Sequence, residues 1–598
     1  MAVMGKQQLK TKWDLSPLFE GDDDPEMKMQ RKTVEDQTMA FVDKWRDRND
    51  YLENVNILKE ALDEYEDWVR NYGTSGGEGY YWELRTAQEQ DNPNIKAKLN
   101  QVVDSSIKLQ NEIQFFELRI AKVSEEKQKV FLADEKLKVY RHWLEKLFLE
   151  TKHLLSEPEE KILNLKSMTA YANWVKMTQE FVSKEEGETL TESGKKEVLN
   201  FSQIMNLLNS RQKKVRDDAA RVFNGVLVKH VDIAEIELNS VLQDKKVNDG
   251  LRKFSRPDAG RHLADDIESD VVDALVKAVT GKFDIPRRFY KLKAKLLGVP
   301  KLKYHERNVP YGKFDEKYEW DKAMELVSGV FSGLDVEFGE IFDSYIKNGQ
   351  MDVFPDKGKT LGAFCAHDLM IYPTYILLNH SAKLNDVRTL AHEVGHGIHN
   401  ELMKNQNSLN FGTPKSMAEV ASTFMEDFVL EKLSDGADEK LRLALNMSKL
   451  NDDVSTIFRQ IACYRFEQEL HDIFREVGYL SKVQIGELFK NHMSAYMGDS
   501  VEQSEGAENW WVYWGHIRNF FYNYSYASGL LISKALQGRV QTDRKFIFKV
   551  KECLARGTSA SPRVIFSEVG INIADKKFWV QGLEKVEELL TATEKLAE

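Results

Sequence analysis

The sequence is poor in the features that mark secreted and membrane-spanning proteins. Its three cysteines, Cys365, Cys463 and Cys553, are odd in number and far apart in 598 residues, so they indicate no disulfide framework. No apolar run reaches the roughly 18 residues that a transmembrane helix needs. The opening MAVMGKQQLKTKWDLSPLF has no apolar run of signal-peptide length. We therefore expect a cytoplasmic protein with free thiols and no membrane partner.

Positive charge is also in short supply. The chain has 84 lysines and arginines against 96 aspartates and glutamates, which gives a formal net charge of −12. A nucleic-acid-binding protein is usually basic, so no nucleic-acid partner is expected. Hydrophobic residues at 42% and charged residues at 30% are typical of a globular protein. The sequence indicates no particular oligomeric state.

Proline is scarce, at 12 residues, and long segments show apolar residues three and four apart. This spacing predicts helices over about 39–68, 95–150, 156–183, 197–245 and 265–297. We expect an all-helical N-terminal domain over residues 1–190 and a catalytic domain over residues 191–598. The boundary is placed in SKEEGETLTESGKKE (183–197), which is polar and contains glycine.

One segment departs from the helical pattern. GKTLGAFCAHDLMIYPTYILLNHSAKLNDV (358–387) contains the β-rich run YPTYILLNH, which predicts one or two short strands. A helix is predicted to begin directly afterwards, at Asn385 or Asp386.

That helix contains TLAHEVGHGIHNEL (389–402). His392 and His396 are four residues apart and lie on one helix face, so they can hold one metal ion together. Imidazole nitrogens suit zinc, which in catalytic sites takes three protein ligands. Glu393 lies beside the first histidine and can act as the general base on water. The pattern predicts one Zn²⁺ per chain.

The competing interpretation is an ordinary core helix that is rich in histidine. An apolar face is present, formed by Leu384, Val387, Leu390, Ala391, Val394, Ile398 and Leu402. Gly395 and Gly397 each cost a helix about 1 kcal/mol relative to alanine. Their presence indicates close packing or close approach at this point.

A second helix, TPKSMAEVASTFMEDFVLEKL (413–433), supplies the candidate third ligand, Glu419. Glu419 could instead form a capping box with Ser416, three residues earlier. Glu426 lies two turns further along and could orient a zinc-bound histidine, or be a surface acid. His399 shares the face of the two histidines and is either a wall of the site or a core histidine.

Together these motifs resemble oligoendopeptidase F, in the wider family of thimet oligopeptidase and neurolysin. KWDLSPLF (12–19), CYRFEQELH (463–471) and GTSASPRVIFSEVGINIADKKFWVQGL (557–583) resemble further segments of that family, so the resemblance covers nearly the whole chain. It implies a mainly α fold with a deep substrate channel, zinc on its floor and a small β-sheet at the cleft. It also implies hydrolysis of internal bonds in short peptides.

The resemblance also implies residue roles. It assigns the zinc ligands to His392, His396 and Glu419, and the general base to Glu393. Within HIRNFFYNYSYASG (516–529), His516 and the tyrosines Tyr522, Tyr524 and Tyr526 match a segment that lies over the zinc. Gly362 and Ala363 fall in the segment that resembles the substrate strand.

Chemistry favours hydroxyl donors near the metal, because attack on a peptide carbonyl builds negative charge on its oxygen. Residues two apart on a regular helix point about 200° apart, so the three tyrosines cannot all face one site. Tyr522 and Tyr526 can. The alternative is an aromatic packing stripe without a catalytic role.

Three functions remain open from sequence. The leading one is a zinc endopeptidase acting on short peptides. A catalytically silent peptide-binding protein on the same fold is an alternative, although the ligand and base positions are intact. A zinc aminopeptidase or carboxypeptidase is another, although the exopeptidase segment GAMEN is absent from the sequence.

Overall fold

The computed structural model describes residues 10–312 and 316–598. The expectation that the chain has no leader peptide rests partly on residues 1–9, which lie outside that range. The described part is mainly helical with small sheets, which confirms the predicted fold class.

Nine helices precede residue 190 in the described chain. They are α1 Glu26–Trp45, α2 Val55–Asn71, α3 Gly76–Gln88, α4 Pro93–Ile113, α5 Phe115–Ala121, α6 Glu125–Ala133, α7 Arg141–Thr151, α8 Glu157–Ser167 and α9 Asn173–Ser183. The helices that follow are α10 Phe201–Leu207, α11 Lys213–Leu251, α12 Ala259–Ala264, α13 Ser269–Thr280, α14 Asp284–Leu296, α15 Trp320–Leu334, α16 Val336–Lys347, α17 Leu384–Met403, α18 Val420–Asp435, α19 Glu439–Asp453, α20 Gln460–Val477, α21 Lys482–Met497, α22 Tyr524–Thr542, α23 Ile547–Leu554, α24 Pro562–Glu568 and α25 Lys576–Leu596.

The strands are short and form three small sheets. They are β1 Glu186–Leu190, β2 Lys196–Asn200, β3 Leu302–Lys303, β4 Met351–Asp352, β5 Phe364–Ala366, β6 Tyr375–Leu377 and β7 Val501–Glu502. The sheet with the order β4-β6-β5 pairs β4 parallel and β5 antiparallel to β6, with Cys365 opposite Ile376. Strand β6 confirms the prediction for the run 372–380, and β5 lies at an edge of this sheet.

The segment 183–197 is more ordered than its composition indicated. Strands β1 and β2 form an antiparallel hairpin there, with Glu186 opposite Asn200. The predicted helix over 197–245 is therefore wrong at its start, where the chain is extended up to Asn200. Four of the five β2 residues are exposed, so the strand has no alternation of apolar and polar residues that would predict it. The domain boundary near residue 190 stays a prediction.

The N-terminal region packs against the three-stranded sheet. Trp13, Tyr80, Leu84, Tyr375 and Leu377 form one apolar cluster. The indole of Trp13 donates to the Ile376 carbonyl at 2.9 Å, and the Tyr80 hydroxyl donates to the Ala366 carbonyl at 2.9 Å. These contacts hold β5 and β6 against the N-terminal region. Strand β5 also contacts the His-bearing helix α17.

No helix in the described ranges combines the length and the apolar character that crossing a bilayer requires.

Candidate active site

Helix α17 begins where the sequence predicted. The Asp386 carboxylate accepts hydrogen bonds from the backbone N–H groups of Ser381 and Lys383, at 2.7 and 2.9 Å. These bonds satisfy donors that a helix start leaves unpaired. The seven residues of the predicted apolar face are all buried, so the opposite face, with His392 and His396, is fixed toward the cleft.

Three side chains converge on one point at this face. Glu419 Oε2 lies 3.3 Å from His392 Nε2 and 3.6 Å from His396 Nε2, and the three ligand atoms lie within 4.8 Å of one another. Zinc bonds of about 2.0–2.1 Å in a tetrahedron place ligand atoms roughly 3.3–3.5 Å apart. The observed separations fit that geometry, and the donor set of two imidazoles and one carboxylate fits zinc.

Glu419 reaches the histidines because α17 and α18 pack very closely. A Cβ on Gly395 would lie 2.7 Å from Ser422 Cα and 2.9 Å from the Ala421 carbonyl oxygen. A Cβ on Gly529, in α22, would lie 2.9 Å from the Cβ of Glu419. The prediction of close packing at Gly395 is confirmed, whereas Gly529 had no predicted role.

The capping-box alternative for Glu419 is wrong. Residues Lys415–Met417 form a 3₁₀ turn, and α18 starts only at Val420, with Glu419 at its N-cap position. The Ser416 hydroxyl is buried without a hydrogen-bond partner, so it caps nothing. The Glu419 carboxylate instead accepts from the Ser422 hydroxyl at 2.9 Å.

Glu426 lies behind His392 and is nearly buried. Its Oε2 is 3.2 Å from His392 Nδ1, and its Oε1 accepts from Arg388 at 2.7 Å. Burial disfavours the charged form of His392, but hydrogen bonds to Glu419 and Glu426 outweigh it and raise its pKa to about 10. Protonated His392 thus donates from Nδ1 to Glu426 and from Nε2 to Glu419. A metal ion bound at Nε2 would take the place of the proton on that nitrogen. The surface-acid alternative for Glu426 is wrong.

Glu393 lines the cavity beside these ligands. The cavity holds about 610 Å³ and is lined by Ala363, Phe364, Cys365, His367, His392, Glu393, His396, His399, Asn400, Thr413, Ala418 and Glu419. Burial raises the pKa of Glu393 to about 7, against the opposing charge of His392. A carboxyl group with such a pKa can both take up and release a proton near neutrality.

The two predicted substrate residues differ in their placement. Ala363 lines the cavity at the start of β5. Gly362 does not, and its carbonyl already accepts from the Asn379 amide at 2.6 Å.

His399 also lines the cavity. It is buried at 3% exposure, and burial together with His396 lowers its pKa to about 3, so it is a neutral wall residue.

His516 and Tyr526 form one hydrogen-bonded chain. The Trp514 indole N–H donates to His516 Nδ1 at 3.2 Å, so the proton of a neutral His516 lies on Nε2. His516 Nε2 is 3.0 Å from the Tyr526 oxygen and can donate to it. Burial, followed by the charge of Arg459, lowers the pKa of His516. The Tyr526 hydroxyl is therefore left with its own proton to donate.

The other two tyrosines have different surroundings. Tyr522 packs edge-on against Tyr526, with ring centroids 5.3 Å apart. Tyr524 is fully buried, and its hydroxyl donates to Asp265 at 2.8 Å. The predicted oxyanion role of Tyr524 is not possible with that hydroxyl engaged in the core, and we do not carry it forward.

A buried carboxyl group, which the sequence did not single out, holds this segment in place. Glu467 accepts from the Phe521 backbone N–H and from the Asn523 amide, both at 2.6 Å. Phe520 and Phe521 have φ values of 40° and 59°, which non-glycine residues rarely adopt. The acceptor therefore stabilises a strained turn between His516 and Tyr526. No sequence pattern marks such a contact.

A second cluster of ligand-type side chains is present, formed by Asp217, His305 and Glu306. Its charges are already paired, because Glu306 accepts from Arg216 at 2.7 Å and Lys213 contacts Asp217 at 3.0 Å. We interpret it as an ion-pair network.

The sequence is similar to known peptidases over most of its length. The model described as Peptidase family M3 matches residues 314–585, and the one described as Oligopeptidase F matches residues 119–184. The chain is 25% identical over 580 residues to the oligoendopeptidase F homolog of Borreliella burgdorferi, covering 94% of each chain. It is 25% identical over 501 residues to the oligoendopeptidase F homolog of Lactococcus lactis, covering 81% of each.

Solved structures share the fold. A chain from Chlamydophila abortus superposes with a TM-score of 0.86 at 19% identity, covering 98% of both chains. Oligoendopeptidase-F from Enterococcus faecium superposes with a TM-score of 0.70 at 19% identity, covering 96% of this chain and 98% of the other.

Proposed function

Since the chain belongs to peptidase family M3, we propose that it is a zinc-dependent oligoendopeptidase that hydrolyses internal bonds of short peptides in the cytoplasm. The observation that supports this most is the convergence of His392, His396 and Glu419 within 4.8 Å, with Glu393 in the same cavity. No nucleic-acid or membrane partner forms part of the proposal.

His392, His396 and Glu419 would hold one zinc ion per chain. When bound there, zinc supplies Lewis acidity, which polarises a peptide carbonyl and makes a water molecule a stronger acid. Glu426 keeps a proton on His392 Nδ1, which leaves Nε2 free to act as a ligand.

Glu393 acts as the general base. Its carboxylate takes a proton from water as the water oxygen attacks the peptide carbonyl, and it passes that proton to the departing amine nitrogen. Burial against β5 also limits the number of competing water molecules near the carboxylate.

The Tyr526 hydroxyl donates to the carbonyl oxygen as negative charge develops on it. His516 orients that hydroxyl through the 3.0 Å contact at Nε2, and Tyr522 packs against the ring of Tyr526. Both tyrosines and His516 thus belong to one donor unit.

The substrate lies along β5. Strand β5 lies at an edge of its sheet, and an extended peptide can add to such an edge as a further strand. Ala363 offers backbone groups there, whereas the Gly362 carbonyl is already occupied by Asn379. Backbone pairing needs an unfolded segment, which favours short peptides over folded proteins.

A quenched peptide with both ends blocked tests the proposal. We expect cleavage at an internal bond, loss of cleavage with a chelator, and recovery with about one zinc per chain. An exopeptidase would leave the blocked peptide intact, and a silent binding protein would bind it without cleavage. A native globular protein should survive the same incubation, and its rapid digestion would contradict the proposed substrate class.

A further inference from the structure

A second cavity lies on the other side of His516. It holds about 430 Å³ and is lined by Tyr304, Arg307, Arg459, Gln460, Trp514 and His516, among other residues. His516 thus lines this arginine cavity and also contacts Tyr526 through its Nε2. The proposed reaction uses none of the other residues of the cavity.

The two guanidinium groups of the arginine cavity have no acidic partner in the described chain. Arg307 is buried at 6% exposure, and its Nη1 donates to the Tyr304 carbonyl at 2.9 Å, but its Nε has no partner. The Nε of Arg459 is also buried without a partner. By contrast, the buried Arg518 pairs with Glu237 at 2.7 Å. A buried cation without an anion is costly, so this site favours an incoming anion.

A third cationic side chain, Lys293, contacts the Arg307 backbone. Lys293 is fully buried, and its Nζ donates to the Arg307 carbonyl at 2.6 Å and to the Asn451 side chain at 2.7 Å, both neutral acceptors. Burial, and after it the charge of Arg307, lowers the pKa of Lys293 to about 7. The charge of Arg459 also contributes to the lowered pKa of His516. An anion in the cavity would relieve these repulsions.

The walls suit an anion that a guanidinium can bind through two parallel hydrogen bonds, such as a carboxylate. The Arg307 guanidinium lies between the rings of Tyr304 and Trp510, at 4.3 and 4.4 Å from their centroids. Stacking holds its plane fixed, and a fixed planar fork recognises carboxylates.

We propose that the arginine cavity is a substrate subsite that binds a carboxylate of the peptide, either the C-terminal one or an aspartate or glutamate side chain. This inference rests on the proposed peptidase function. It predicts that a carboxylate held by Arg307 and Arg459 fixes the register of the peptide along β5 and therefore selects the bond that is cleaved.

Two peptide pairs test the subsite. The peptides of the first pair differ only in whether the C-terminus is free or amidated. The second comparison is repeated at each position of the peptide, and its two peptides differ only in having glutamate or glutamine there. We expect the carboxylate form to have a KM about tenfold lower in at least one pair, as charge-assisted hydrogen bonds allow. A preference in the first pair assigns the C-terminal carboxylate, and one in the second assigns a side chain. Equal KM values throughout would overturn the proposal.

Arginine variants complete the test. Arg459→Met should abolish the KM difference between the carboxylate and the neutral form of each peptide pair. Arg465→Met, on the exposed face of α20, should keep it. Arg307→Lys keeps the positive charge but loses the stacked guanidinium group, so it should weaken the preference. It serves in place of Arg307→Met if that variant fails to fold. A preference that survives Arg459→Met and Arg307→Lys refutes the assignment.

Binding without turnover separates this inference from the proposed function. Tryptophan fluorescence, titrated with each peptide in the presence of a chelator, reports occupancy beside Trp510 and Trp514. Carboxylate-dependent binding that disappears in Arg459→Met supports the subsite even if no peptide is cleaved. Cleavage without any carboxylate dependence in either assay would leave the peptidase proposal standing and exclude the subsite.

Discussion

Glu426→Gln tests how strongly the groups behind His392 determine zinc affinity. A zinc bond to Nε2 forces the imidazole proton onto Nδ1, which then needs an acceptor. Glu426 offers Oε2 to Nδ1 at 3.2 Å while Oε1 serves Arg388 at 2.7 Å. Glutamine has only one oxygen. The charged Arg388 competes for it, so the amide nitrogen is turned toward His392 and the Nδ1 proton loses its acceptor.

The expected loss follows from that single bond. A hydrogen bond to a charged group contributes about 1.5–3 kcal/mol, which corresponds to a roughly 10- to 100-fold weaker zinc affinity. Arg388 keeps Asp452 as a partner at 2.8 Å, so the helix pair should remain folded. At saturating zinc most of the activity should return, because Glu393 and Tyr526 are unchanged.

The assay is competition for zinc against a fluorescent chelator, with the fold checked by circular dichroism on the zinc-free protein. Glu431→Gln is the matched control, since Glu431 lies on the same helix and contacts only Gln541 at the surface in the described hydrogen bonds. It should bind zinc as the unmodified protein does. If Glu426→Gln also bound zinc normally, the acceptor behind His392 would be irrelevant to affinity, and the reasoning would fail.

Three further predictions concern the ligands, the donor unit and the packing. Glu393→Gln should retain zinc in elemental analysis but lose nearly all turnover, whereas Glu419→Ala should lose zinc; equal zinc content in both would contradict the assigned roles. Tyr526→Phe should lower kcat about 10²-fold with little change in KM, while Tyr524→Phe should lower Tm and spare kcat, and the reverse pattern would exchange their roles. Gly529→Ala should weaken zinc binding in calorimetry by pushing Glu419 away, since its new Cβ would lie 2.9 Å from the Glu419 Cβ; normal affinity would show that α22 can shift.

Local patterns predicted the parts of the site that lie within one element. The spacing of His392 and His396, and the apolar face of α17, follow from helical periodicity alone. Tyr522 and Tyr526 do lie together, but Tyr522 precedes α22, which begins at Tyr524, so helical periodicity does not explain their contact. The hairpin 186–200 was missed because its strands are largely exposed and polar, so no alternation distinguishes them from a loop.

Contacts between distant segments were beyond the reach of these patterns. Glu467 meets the turn at Phe521 across 54 positions of the chain. The arginine cavity combines a 3₁₀ turn near residue 304, a π-helical turn over Val454–Arg459 and a loop near residue 514. In sequence each arginine is unremarkable, since most arginines are solvated or paired. Only the fold shows that Arg307 is buried, that Arg459 is partly buried beside it, and that neither has an acidic partner in the described chain.

The glycines of the site explain why its geometry depends on packing as much as on the ligands. In α17 and α22, Gly395 and Gly529 each cost about 1 kcal/mol of helix propensity relative to alanine. In return, both let a neighbouring backbone approach closely: Gly395 admits Ser422, and Gly529 admits Glu419. Glu419 sits between these two contacts, at the N-cap of α18 rather than inside it. Its carboxylate is therefore positioned by three helices at once, which is how a side chain 23 residues from His396 in sequence comes to lie 3.6 Å from it in space.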